Sequence, residues 1–171
     1  ECKPTDEGAG LGVGVGNKSN YLAHANNFLG NLSGTYMWAT QQSNTQGYKY
    51  VNGSGSTVSQ NFTNNDVIGV AFDIDAGTLT MYKNGSSQLE IASGLSGQFQ
   101  PIFSDFGASD TSTFEVNFGQ KSFAHTPPSG HVALSTANLP NPAIPLPSAQ
   151  FNTVLYTGDD ADGRTISGVG F

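Results

Sequence analysis

Residues 66–85, DVIGVAFDIDAGTLTMYKNG, constrain the fold more than any other part of this chain. Ile68, Val70, Phe72 and Ile74 fall on one face at a period of two, the pattern of a half-buried strand. Asp75-Ala76-Gly77 punctuates the run. Leu79 and Met81 then resume the alternation as far as Asn84-Gly85, a dipeptide that favours a tight hairpin turn. The expectation is an antiparallel all-β domain. Residues 67–74 pair with 78–83, and Val70, Phe72, Leu79 and Met81 face the core. If Phe72 is buried, its replacement by Ala costs about 3–5 kcal/mol.

Further short runs of the same kind fill much of the chain. Leu11, Val13 and Val15 share one face of 11–16, and glycines on the opposite face point to close approach by another backbone. Residues 35–40 (TYMWAT), 47–51 before an Asn52-Gly53 turn, 57–62, 99–104 and 113–118 read as strands, and 88–91 as a short edge strand. No amphipathic helix is visible. The 22 glycines, 11 phenylalanines and only 11% charged residues suit a sheet protein rich in turns. Phe28, Phe62, Phe72, Phe99, Phe103, Phe114 and Phe118 are the expected bulky core stock. A domain of about 130 residues buries roughly two thirds of its unfolded surface, so the 171 residues hold one sandwich and little more.

The central stretch resembles that of the SPRY domain family. There, a Gly-Val-x-x-Asp strand precedes a short Asp/Gly turn and a strand ending in Tyr-x-Asn-Gly. Gly69, Val70, Asp73, Asp75, Gly77, Leu79, Tyr82, Asn84 and Gly85 stand at the matching positions. The resemblance implies a two-sheet antiparallel β-sandwich of jelly-roll type over residues 1–138, acting as a binding module without catalysis. In that family the region opens from a strand ending in Glu. Glu1 would be that residue, which points to a longer native protein. Residues 47–53 resemble a hairpin of viral SPRY-like sequences.

After Gly119 the pattern changes. Residues 121–134, with Phe123, Pro127, Pro128 and Gly130, read as a closing segment wrapped over the sandwich. Residues 139–149 include LPNPAIPLP, an extended, semi-rigid linker. Residues 150–171 read as two strands, 152–158 and 165–171, too few to form a core of their own. They resemble the first hairpin of the domain that follows SPRY-like modules in tailed-phage structural proteins. Ile144, Leu146, Phe151, Val154, Leu155, Ile166 and Val169 would be exposed in a lone monomer, so this tail is expected to pack on another subunit or a downstream domain.

Charge excludes several functions. The formal net charge is −7 with six Lys and Arg residues, so no basic stripe exists for nucleic acid or an anionic membrane. No apolar run approaches the ~20 residues that span a bilayer. Cys2 is alone and makes no internal disulfide; a structural thiol is the bland reading and a reactive one the alternative.

The chemistry-bearing residues form no known catalytic pattern. Asp73, Asp75 and Gly77 have a faint calcium-loop spacing, but a hairpin end is where Asp caps turn amides. His24, His125 and His131 lack metal-ligand spacing. No G-x-S-x-G elbow occurs, and nothing pairs Asp105, Asp110 or Glu115 as a glycosidase would. No enzyme, cofactor or metal is expected. Gly12, Gly14 and Gly16 precede no helix with a Lys-Ser pair, against a phosphate loop. Tyr21, Phe28, Tyr36, Trp38, Tyr48 and Tyr50 are either core or a stacking platform for glycans. Core suits Tyr36 and Trp38, and surface suits Tyr21 and Phe28.

The functional expectation is a structural and binding component on the surface of a tailed-phage particle, in a tail fibre, spike or decoration protein. Its partners are other virion subunits, through homo-oligomerisation, and a host-surface glycan or protein. Loops 17–33 and 104–112 supply the contacts, through Tyr21, His24, Asn26, Asn27, Phe28, Asp105, Phe106 and Asp110. Two alternatives stand beside it: a cellular SPRY adaptor binding a short protein motif, and an accessory carbohydrate-binding domain of a secreted hydrolase.

Overall fold

In a computed structural model of the chain, the structure describes residues 1–6, 10–17, 28–41, 45–105, 112–139, 154–158, 162–163 and 165–167. Among the described residues ten strands form: β1 (Cys2–Asp6), β2 (Gly10–Asn17), β3 (Thr35–Gln41), β4 (Gly47–Val51), β5 (Ser54–Val58), β6 (Ile68–Asp73), β7 (Thr78–Lys83), β8 (Ser86–Ala92), β9 (Phe99–Asp105) and β10 (Thr113–Val116). They make two five-stranded sheets in the orders β10-β1-β6-β7-β8 and β5-β4-β3-β2-β9. Every pairing is antiparallel. The two-sheet antiparallel sandwich that the alternation implies is the fold.

The core lies between the sheets. Leu11, Val13, Val15 and Trp38 from one sheet meet Cys2, Ile68, Leu79, Met81 and Ile91 from the other, and Phe62 and Leu95, from outside the strands, join the same cluster. Trp38 and Phe62 are fully buried, with their rings edge-to-face at 4.7 Å. The Trp38 indole N–H donates to the Gln60 carbonyl at 3.1 Å, so the one polar atom of that ring is satisfied. Leu79 and Met81 are fully buried as expected, whereas Val70 and Phe72 are half-buried and pack against the margin of the core. Phe72 meets Phe99 edge-to-face at 5.4 Å.

Both predicted hairpin turns form. Asn52-Gly53 and Asn84-Gly85 have φ of 51° and 82°, and 49° and 81°. Positive φ at both central residues is the geometry of the type I′ turn that the right-handed twist of two strands favours. Asp73 ends β6 as a turn cap: its Oδ1 accepts from the amides of Asp75 (3.0 Å) and Ala76 (2.9 Å).

Several expectations need correction. Ile74 leaves the inward face because β6 ends at Asp73, and it is 43% exposed. Phe118 is 39% exposed, because β10 ends at Val116 and the Asn117 side chain bends the chain, accepting from the Gly119 amide at 3.0 Å. The strand placed at 57–62 is Ser54–Val58: the two-residue turn lets it begin at once, and the chain then bends so that Gln60 can take the Trp38 proton. A strand not anticipated, β1, lies between β10 and β6.

The chain divides into two compact units, Glu1–Ser135 and Thr136–Phe171. All ten strands belong to the first. In the second, Thr136–Asn138 form a 3₁₀ turn. Of the expected hairpin, the described residues 154–158 and 165–167 are not in strands, and its other residues lie outside the described ones. Leu155, Tyr156 and Ile166 are exposed.

Candidate binding face

The β5-β4-β3-β2-β9 sheet is buried on both faces at its centre. Thr35, Met37, Trp38, Ala39 and Thr40 of β3 are all at most 1% exposed. Trp38 faces the sandwich core, while Met37 and Ala39 face outward into a second apolar cluster with Tyr50 and Ile102. Phe28, Leu29 and Tyr48 pack onto that outer cluster. The near-continuous apolar run of β3 is the sequence mark of such two-sided burial.

The glycines of β2 make room for this outer layer. Met37 lies opposite Gly14, and Ala39 opposite Gly12. A Cβ on Gly12 would sit 2.7 Å from the Met37 methyl and 3.5 Å from the Phe28 ring. A Cβ on Gly14 would sit 2.7 Å from the Met37 Cα. The close approach inferred from the Leu-Gly-Val-Gly-Val-Gly alternation is therefore real, and the approaching backbone is β3.

Three aromatic rings cluster on this face. Phe28 meets Tyr50 edge-to-face at 5.1 Å, and Tyr48 stacks on Tyr50 at 6.3 Å with 29° between planes. Tyr50 is 7% exposed, and burial, with the neighbouring Tyr48 second, pushes its hydroxyl pKa up. Phe28 and Tyr48 are half-buried. Of the six aromatics weighed as a stacking platform, Tyr36 and Trp38 turn inward, and Phe28, Tyr48 and Tyr50 form the outer cluster.

Phe28 thus lies on the candidate face. Its neighbour Leu29 donates its amide to the Ser104 hydroxyl at 3.0 Å, tying the end of the β2–β3 connection to β9. Asp105 follows Ser104 and points the other way along the pleat. Its carboxylate accepts from the Ser112 amide at 2.9 Å and so clasps the β9–β10 connection. Phe28 and Asp105 are consequently not on one surface. Tyr21, His24, Asn26, Asn27, Phe106 and Asp110 lie outside the described residues. As a contact, sequence reasoning places Ser104 only at the start of the 104–112 loop, and it misses Met37 as part of this face. The period-two pattern of β9 and β3 is the signal that could have found them.

Other candidates are structural. His125 lies against the Asn84-Gly85 turn, 3.0 Å from where a Gly85 Cβ would be. The Glu1 carboxylate accepts from the amides of Ala124 (2.8 Å) and His125 (3.0 Å), holding the closing segment to the start of β1. Cys2 is 3% exposed, and burial pushes its thiol up to about 12, so it stays protonated and unreactive at neutral pH. Among the described residues no cluster of His, Cys, Asp and Glu could hold a metal. Among the described residues no helix is long and apolar enough to cross a membrane.

Comparison with known proteins agrees with this architecture. The chain is similar to Protein ssh4 of Sclerotinia sclerotiorum, 32% identical over 130 residues, which cover 67% of this chain and 24% of the relative. It therefore spans about a quarter of the length of that curated relative. No solved structure matches it. The SPRY domain pattern matches residues 1–121, the whole sandwich, and the chain belongs to the SPRY domain family.

Proposed function

We propose that this chain is a non-catalytic, protein-binding module that meets its partner with the outer face of the β5-β4-β3-β2-β9 sheet and the loops at its margin. The observation that carries this reading is the Phe28–Tyr50–Tyr48 cluster. These rings lie on the outer side of a sheet whose inner side is already committed to the core, and Phe28 and Tyr48 are the half-buried ones. Tyr48 is a rigid ring with a polar tip, the kind of side chain that gives contact area at low conformational cost. SPRY membership supports a protein as the partner class.

A place on the surface of a tailed-phage particle is the setting we favour for this module. The Asn-, Gly- and Ser-rich loops, the six Lys and Arg residues and the resemblance of the 150–171 segment to phage proteins support it. The similarity to Protein ssh4 favours a second setting, a cellular protein that uses the SPRY domain to bind a short protein motif. The reading frame on either side of residues 1–171 separates the two: phage structural genes or domains beside it support the first.

Peptide and glycan arrays probed with the labelled chain test the function. The expected result is peptide binding that weakens about tenfold in Tyr48→Ala, with the bound peptide recovered intact. Binding to glycans alone would replace the partner class. Absence of binding on both arrays, or turnover of a bound ligand, would overturn the reading.

A further inference from the structure

Four strands border the two sheets: β10, β8, β5 and β9. Exposed edges invite pairing with another chain, and proteins blunt them with charges, prolines, bulges or brevity. Three of the four carry such devices. β9 has Pro101 at its middle. β8 is broken by two register shifts and carries Glu90, whose carbonyl accepts from the Lys49 ammonium at 2.7 Å. β10 has four residues, with Glu115 among them.

β5, Ser-Gly-Ser-Thr-Val, has none of these devices. It pairs with β4 without a register shift, and Ser54, Gly55, Ser56 and Thr57 are all exposed. Its geometry fixes which backbone groups point outward. Val51 and Ser54 flank a two-residue type I′ turn, so they form a pair that exchanges both hydrogen bonds, and such pairs alternate along the ladder. Ser54, Ser56 and Val58 therefore direct their amides and carbonyls to β4. Gly55 and Thr57 direct theirs away from the sheet.

The same two residues share a face with the aromatic cluster. Gly55 pairs with Tyr50, and Thr57 with Tyr48. The Tyr50 ring lies over Gly55, where a Cβ would come within 2.6 Å of its Cε1. A strand added at this edge would thus find two outward hydrogen-bonding residues, with the half-buried Tyr48 on the same face.

We propose that β5 takes an extended peptide of another protein as an added sixth strand, held by the backbone of Gly55 and Thr57 and read by the half-buried Tyr48. This rests on the reading of the chain as a protein-binding module. The fitting peptide alternates. The residue opposite Thr57 is apolar or aromatic, because it lies on the Tyr48 side of the sheet; residues opposite Ser54 and Ser56 are small or polar. Backbone bonds supply affinity, and alternate side chains supply choice. With a net charge of −7, the chain favours a basic peptide over an acidic one. A second copy is the poorer fit: it offers only glycine, threonine and serine to Tyr48 and carries the same net charge.

The test uses the intact chain, isotope-labelled, and a synthetic peptide alternating threonine with valine and tyrosine between terminal lysines. Amide hydrogen exchange is read with and without the peptide. The expected result is new protection at Gly55 and Thr57, with Ser54 and Ser56 little changed because their amides already bond to β4. Thr57→Pro removes only an outward amide and should weaken binding about tenfold, while Thr57→Val retains it. Retained protection across β4 checks that the proline variant is folded. Peptide binding that perturbs Tyr48 without protecting Gly55 and Thr57 overturns the added strand but leaves the binding module standing. Absence of peptide binding overturns the added strand too, and the array result then decides the broader reading. Protection of these amides in the chain alone, rising with its concentration, assigns the edge to a second copy and also overturns the proposal.

Discussion

Gly14 is where a single methyl group would do most harm. Any Cβ there would collide with the Tyr36 carbonyl and sit 2.7 Å from the Met37 Cα, both backbone atoms in mid-sheet that cannot swing aside. Gly14→Ala should cost about 1–3 kcal/mol or more in urea denaturation. A variant as stable as the parent would show that β2 and β3 are not so close. Core truncations should separate by burial. Phe62, 1% exposed against Trp38, should lose about 3–5 kcal/mol on change to Ala. Phe72, at the core margin, should lose clearly less, and equal losses would contradict the packing. Cys2 adds a pH effect of definite sign. Its thiol is raised from 9.0 to about 12 by burial, so the folded state binds its proton more tightly than the unfolded chain does. Its contribution is fully present below pH 9.0 and is lost as pH rises towards about 12. The stability of the parent should fall more between about pH 8 and pH 10.5 than that of Cys2→Ala, when both are measured by denaturant unfolding. Parallel pH curves would place the thiol in water.

At the scale of elements, the hairpins carry the sequence's clearest instructions. The run from Ile68 to Gly85 could be divided into strand, turn, strand and turn because its apolar residues alternate and its turn residues each have a distinct backbone role. β7 begins and ends where the sequence places it, at Thr78 and Lys83. Asn84 adds to its left-handed backbone two side-chain bonds: its amide donates to the Asp66 carboxylate at 2.7 Å, and its oxygen accepts from the Val67 amide at 2.8 Å. Asn84→Ala should therefore cost about 1–3 kcal/mol, above the ordinary surface change, and should raise hydrogen exchange at Val67. An unchanged melting temperature would mean that the turn alone sets this corner. The outer aromatic layer was legible only in part. Tyr48 and Tyr50 sit at a period of two and predict a shared face. The seat of Phe28 depends on a bond from Leu29 to Ser104, 75 residues away, and on space left by glycines in a different strand. Neither leaves a local pattern. Ile74 and Phe118 failed for the reverse reason, since periodicity continues on paper past the point where Asp73 and Asn117 turn the chain.

For the whole molecule, the division of labour follows from which faces are already spent. The inner faces of both sheets are consumed by the core, and all ten strands fall within Glu1–Ser135. The sandwich therefore contains everything it needs to fold, and the remaining 136–171 segment contributes no strand among its described residues. Leu139, Leu155, Tyr156 and Ile166 in that segment are 65%, 94%, 61% and 44% exposed. Large apolar side chains left exposed in one segment are what an interface would cover. We infer that residues 139–171 join the sandwich to a neighbouring subunit or a following domain. Deleting them should leave the melting temperature and the β-sheet circular dichroism of the sandwich nearly unchanged, while any self-association of the full chain in sedimentation disappears. If the shortened chain unfolds, the segment is part of the sandwich's own core. If it associates as before, the contact between copies lies on the sandwich itself, where the β5 edge is the first place to look.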